Sequence, residues 1–160
     1  MSTEDAPLPA APLVPGGPPH ILIVRAPYYR TITEDLSAGA AALLDKAGAT
    51  YETVDVGGAL ELPQAIRFAV RGNRRFDGYI ALGCVVKGET DHYEHVCRET
   101  MSGLMRVALQ YGLAVGNGLL TVATPEQAIA RTRPGGYNKG AEAAAAVLLS
   151  IAAGRSLGGL

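Results

Sequence analysis

Four short apolar runs, each separated from the next by a stretch with helical spacing, constrain this chain more than any other feature. HILIV at 20–24 and GYIALG at 78–83 are continuous rather than alternating. That is the pattern of strands buried on both faces. YETVDV at 51–56 alternates, and LAVGNGLLTV at 113–122 supplies the fourth strand. Between the strands, apolar residues recur three and four apart. Ile32, Leu36, Ala40, Leu43 and Ala47 mark one helix, opened by TITE at 31–34 as a capping box and closed by Gly48. Pro63 suits the first turn of a second, with Leu62, Ala65, Ile66, Ala69 and Val70 on its inner face. Asp91 and Glu94 start a third, whose face runs from Val96 through Thr100, Gly103, Leu104 and Val107 to Tyr111, with Gly112 as its stop. TPEQ at 124–127 caps a short helix, and NKGAEAAAAVLLSIAAG at 138–154 forms the last. Strands alternating with helices over short links predict an α/β three-layer sandwich, a four-stranded parallel sheet flanked by helices.

Ahead of this pattern, residues 1–19 hold six of the ten prolines. Proline breaks helices and cannot donate to a ladder, so an extended or disordered arm is expected there, with the domain spanning 20–160. The composition is globular, 48% hydrophobic and 18% charged with a net charge of −1. That balance gives no footprint for nucleic acid or an acidic membrane surface. No apolar run reaches the length of a membrane span. The start MSTED is acidic and no apolar leader core follows, so a cytoplasmic protein with two reduced cysteines is expected.

In open parallel sheets, ligands gather beyond the carboxyl ends of the strands. Three turns should therefore line one crevice: RAPYYRT after the first strand, GGALELP after the second, and the stretch following the third. That stretch, GCVVKGETDHYEHVC at 83–97, concentrates two cysteines, two histidines, three acids and a lysine. A metal site would use His92 and His95, but a catalytic zinc needs a third protein ligand and none stands at a suitable spacing. Cys84 as a nucleophile would need an electropositive setting, whereas a cysteine beside a buried strand is ordinarily a small core hydrophobe. Lys87 could form a Schiff base if desolvated. An anion cradle is the fourth reading: Gly88 permits close backbone approach, Thr90 adds a hydroxyl, Lys87 adds charge, and a helix N-terminus follows. His92 would then stand beside the anion as a proton carrier. From this stretch alone, a capped helix with a surface histidine competes on equal terms.

Four pieces in register resemble the lumazine synthase family of riboflavin biosynthesis: GALELP at 58–63, LGCVVKGETDHYEHVC at 82–97, GNGLLTVATPEQAIAR at 116–131 and NKG at 138–140. The resemblance spans roughly residues 20–155 and implies a flavodoxin-like sheet. It also implies condensation of 5-amino-6-(D-ribitylamino)uracil with 3,4-dihydroxy-2-butanone 4-phosphate to 6,7-dimethyl-8-ribityllumazine, with no metal or organic cofactor. By position, His92 matches the family's proton-transfer histidine and Tyr28 the aromatic that stacks on the pyrimidine. Ala59, Leu60 and Glu61 match the turn that holds the ribityl amine, and Cys84, Val85 and Val86 the segment that bonds the pyrimidine. Gly88, Glu89 and Thr90 match the phosphate-side loop, and Arg131 the arginine on that phosphate. Asn117 matches a position that reaches the ring from a neighbouring subunit, and Lys139 a lysine near the same site.

The resemblance further implies a homo-oligomer, a pentamer or a 60-subunit capsid, with sites at subunit interfaces and riboflavin synthase as a candidate partner. Three departures bear on the pyrimidine: Pro27 stands where the family often has Arg, Leu60 where many members have Phe, and Asn117 where many have an aromatic. Lower pyrimidine affinity with intact chemistry is the expectation. RPGGYN at 133–138 also departs from the family's usual loop, and Pro134 should stiffen it. A lumazine- or flavin-binding paralogue without catalysis, or one that forms a shell, is the competing class, and a Schiff-base aldolase using Lys87 a third.

Overall fold

The computed structural model describes residues 9–72, 74–133 and 136–159. The start of the Pro-rich arm and Pro134, with the stiffening expected of it, lie outside the described residues. Four strands, β1 (His20–Ala26), β2 (Thr50–Asp55), β3 (Gly78–Val86) and β4 (Ala114–Val122), form one all-parallel sheet in the order β2-β1-β3-β4. Among the described residues, five α-helices connect or follow them: α1 (Arg30–Lys46), α2 (Leu62–Arg71), α3 (His92–Tyr111), α4 (Pro125–Ile129) and α5 (Lys139–Ser156). The expected α/β three-layer architecture is therefore present.

The strand alternation sorts the core into two halves. Ile21, Ile23, Ile80, Leu82 and Leu120 point to the face covered by α1 and α5. Leu22, Val24, Tyr79, Ala81 and Leu119 point to the face covered by α2 and α3. Each fully buried Leu or Ile contributes about 1.5–3 kcal/mol, so the continuous apolar runs leave β1 and β3 no stable alternative to the centre of the sheet. β2 is an edge strand, mostly exposed and laced with charge. Arg25 forms two bonds to the Asp55 carboxylate, at 2.7 and 3.0 Å, and Arg74 pairs with Glu52. Such charges blunt an open sheet edge against other chains.

The helix boundaries correct one sequence expectation. α1 begins at Arg30, ahead of the TITE box, because a 3-10 turn over Pro27–Tyr29 carries the chain directly into it; no side chain caps it. Thr33 instead turns inward, and its buried hydroxyl donates to the Ala26 and Tyr29 carbonyls. α3 starts where Asp91 and Glu94 place it, with Asp91 as N-cap in helical conformation and without a side-chain cap bond. Other signals hold. Gly48 (φ +69°) and Gly112 (φ +62°) take the left-handed conformation that ends α1 and α3. Thr124 caps α4, and Asn138 caps α5 by accepting from Gly140 and Ala141 N–H.

The arm crosses the α1–α5 face. Ala11 and Val14 pack on the core, and Arg155 donates to the Pro15 and Gly17 carbonyls and to Asp77. No helix among the described residues is long and apolar enough to cross a membrane.

Candidate active site at the carboxyl ends of the strands

The chain leaves β1 toward β2 on one side, while β3 leads to β4 on the other. The order therefore reverses between β1 and β3, the place where open parallel sheets leave a crevice. A cavity of about 390 Å³ opens there, lined by Tyr28, Tyr29, Gly57, Gly58, Cys84, Val85, Val86, His92 and Val96 with the Ala59–Glu61 turn. Three local devices place these groups. The 3-10 turn after β1 holds Tyr28 outward, 77% exposed, with its ring edge-on to Tyr29 at 5.2 Å. A second 3-10 turn, Ala59–Glu61, is locked ahead of α2 by Pro63 and by the Glu61 N–H bond to the Gly58 carbonyl at 3.2 Å. Strand β3 continues three residues past the GYIALG run, so Cys84, Val85 and Val86 are strand residues, paired with Leu120, Thr121 and Val122. Their backbone is rigid ladder rather than turn.

The floor of the crevice is apolar and its rim polar. Burial pushes the Cys84 thiol up to about 11, with the neighbouring Cys97 thiol adding to the effect. The Cys84 side chain is buried, a setting that disfavours the thiolate a nucleophile needs and fits a small core hydrophobe. Burial also raises the Tyr29 phenol, helped by Tyr28 and Cys84. His92 stands exposed in the first turn of α3. Lys87 is more than half exposed and lies 3.8 Å from the Glu94 carboxylate, an ion-paired and hydrated setting unlike that of a Schiff-base lysine. Among the described residues, no three His, Cys, Asp or Glu side chains are grouped to hold a metal ion. Gly88, Glu89 and Thr90 form the exposed link from β3 to α3 and line no part of the cavity wall. A Cβ at Gly88 would meet nothing within 4 Å, so that backbone is open to a ligand.

Asn117, Arg131 and Lys139 do not join this crevice. They line a second cavity, of about 350 Å³, along β4 and the start of α5, together with Thr121 and Glu142. The Lys139 N–H donates to the Arg131 carbonyl at 2.9 Å, which ties the two cations together through the backbone. Arg131 folds back to donate to the Gln127 carbonyl. Burial pulls the Lys139 ammonium down, but its 2.6 Å bond to Glu142 and the adjacent Tyr137 hold it above the ordinary lysine range. Tyr29, Gly57 and Gly58 belong to the two turns expected to line the crevice, and they do line it; sequence reasoning singled out neither Val96 there, read only as part of a helix face, nor Glu142 in the second cavity. Glu142, three residues after Lys139 on one helix face, carried a legible signal as its ion-pair partner.

The sequence model of the family described as 6,7-dimethyl-8-ribityllumazine synthase matches residues 18–154. A protein of that name from Bartonella tribocorum is 46% identical over 140 residues, 88% of this chain and 93% of its own. Its counterpart from Paramagnetospirillum magneticum is 44% identical over 144 residues, covering 86% and 96%. The one from Agrobacterium fabrum is 44% identical over 145 residues, covering 88% and 98%.

Proposed function

The chain belongs to the 6,7-dimethyl-8-ribityllumazine synthase family, and on that premise we propose that the crevice between β1 and β3 is its active site, completed by the β4 cavity of an adjoining copy. The reaction joins 5-amino-6-(D-ribitylamino)uracil to 3,4-dihydroxy-2-butanone 4-phosphate. It releases phosphate and two molecules of water, and it is the penultimate step of riboflavin biosynthesis. The amine condenses with the ketone to an imine, phosphate leaves, and the ring closes with loss of the second water.

The observation that carries the reading is the convergence of Tyr28, the Ala59–Glu61 turn, Cys84, Val85, Val86 and His92 on one cavity. In our reading the Tyr28 ring stacks on the pyrimidine, worth about 1 kcal/mol beyond its buried area. The ladder backbone at 84–86 offers donors and acceptors to the ring edge, and Glu61 accepts from ribityl hydroxyls. His92 moves protons between amine, ketone and leaving water. The phosphate sits at the loop of Gly88, Glu89 and Thr90, bound through backbone N–H groups and the α3 N-terminus, because the Glu89 carboxylate would repel it. Arg131 supplies the cation from the adjoining copy, with Lys139 beside it. The separation of the crevice from the Arg131 cavity within one chain supports a homo-oligomer with shared sites. A pentamer is the smallest assembly the family resemblance implies. Holding both substrates in one frame supplies much of the rate.

The test is direct: both substrates are mixed with purified protein, and lumazine is followed by absorbance and fluorescence beside a His92→Ala control. Formation above the spontaneous rate, lowered by about 10²–10⁴ in the variant, is expected for a lost acid–base group. Equal rates in the two would remove His92 from the role, and no formation above background would remove the site assignment.

A further inference from the structure

Gln127 is exposed, yet three hydrogen bonds converge on it. Its Oε1 accepts from the Ala123 N–H at 2.9 Å, just past the end of β4, and its own N–H donates to the Thr124 hydroxyl at 3.4 Å. Together these bonds form a reciprocal cap that fixes the first turn of α4 against the strand. The third bond reaches beyond the cap: the Gln127 carbonyl accepts from Nη1 of Arg131 at 2.7 Å, one turn later. Among the described residues the Arg131 side chain makes no other hydrogen bond, and a guanidinium carries five N–H donors, so most stay available to a ligand. The Arg131 backbone is held as well. Its N–H donates to the Ala128 carbonyl and its carbonyl accepts from the Lys139 N–H, both at 2.9 Å. Ala128 is fully buried and anchors α4 to the core. A guanidinium set in this way has already lost part of the freedom that a surface arginine gives up on meeting an anion.

We propose that Gln127 is a positioning residue for the butanone phosphate: by capping α4 it holds its own carbonyl where that carbonyl aims the Arg131 guanidinium at the phosphate in the adjoining copy's crevice. This rests on the shared-site reading above. Gln127 touches no substrate and acts only through Arg131. A cap that merely stabilised α4 would affect folding or both substrates alike, whereas a cap that aims one guanidinium affects the phosphate ester alone.

The experiment measures kcat and the KM for each substrate in four variants. Gln127→Leu deletes the cap, and Gln127→Glu keeps an oxygen acceptor for the Ala123 N–H. Arg131→Ala and the Gln127→Leu/Arg131→Ala pair complete the set. Gln127→Leu should raise the butanone phosphate KM about fivefold, with kcat and the pyrimidine KM within about twofold. Gln127→Glu should recover most of that loss. Without Arg131, the Leu substitution should add less than about twofold, because the group it positions is gone. A raised KM in Arg131→Ala beside an unchanged one in Gln127→Leu would overturn the Gln127 role alone. So would a Leu effect that falls on folding or on both substrates, that Gln127→Glu shares in full, or that persists in full without Arg131. A wild type that forms no lumazine, or an Arg131→Ala chain whose butanone phosphate KM is unchanged, would overturn it together with the shared site on which it rests.

Discussion

Consider His92→Ala and Arg131→Ala chains mixed in equal amounts, unfolded together and refolded so that they assemble at random. In one chain, His92 lines the crevice between β1 and β3 while Arg131 lines the separate cavity along β4. A complete site then needs a crevice from a chain with His92 and a cavity from a neighbour with Arg131. Half the crevices keep His92, and half of those face a chain that keeps Arg131. About a quarter of the sites are therefore whole, whatever the number of subunits in a closed ring. Alone, the histidine variant should fall by about 10²–10⁴. The arginine variant loses a charge-assisted bond worth about 1.5–3 kcal/mol, which raises the KM for butanone phosphate roughly 10- to 150-fold. With that substrate well below its KM, the two variants average at most about 5% of wild type, so recovery to about 25% stands well clear. The assay is initial lumazine fluorescence in the refolded mixture, with each variant refolded alone as control. A mixture no more active than the mean of its parts would refute the shared site.

Two further outcomes follow from burial. The Cys84 thiol sits at about 11 against an ordinary 9.0, so the folded state holds its proton longer than the unfolded chain. Its contribution to stability is full below pH 9 and is lost as pH rises toward 11. The melting temperature of wild type should fall across that window more steeply than that of Cys84→Ala, and parallel curves would contradict the burial argument. Gly140→Ala places a Cβ against the Leu36 backbone carbonyl, where nothing flexible can yield. It should cost about 2–3 kcal/mol, a drop of roughly 5–10 °C in Tm by calorimetry.

The strand and helix order was legible because its signals are local: continuous apolar runs for β1 and β3, helical spacing between them, and Gly48 and Gly112 at helix ends. The turn-to-crevice rule also brought Tyr28, Glu61 and His92 to one cavity from strand–helix alternation alone. The TITE capping box failed for a tertiary reason. A 3-10 turn that starts at Pro27 delivers the chain into α1 ahead of Thr31. The end of β3 was misjudged at Cys84, Val85 and Val86, because Lys87 and Gly88 read as the start of a turn while pairing with β4 extends the strand. The division of candidate residues between two cavities has no local signature at all. Only the packing of α5 against β4 separates Lys139 from His92.

That packing also limits where this protein can change over generations. Gly39, Gly116 and Gly140 stand where a Cβ would overlap, respectively, the Asn138 side chain, the Ala143 carbonyl and the Leu36 carbonyl. The alanines of α5 fill the rest of the joint. Such a joint can accept almost no added atom, and α5 begins with Lys139, so a shift there would displace a charge in the β4 cavity. Inherited variation in substrate preference is therefore channelled to the solvent-facing rim, to positions such as Leu60 and Asn117, which can be exchanged without moving a helix.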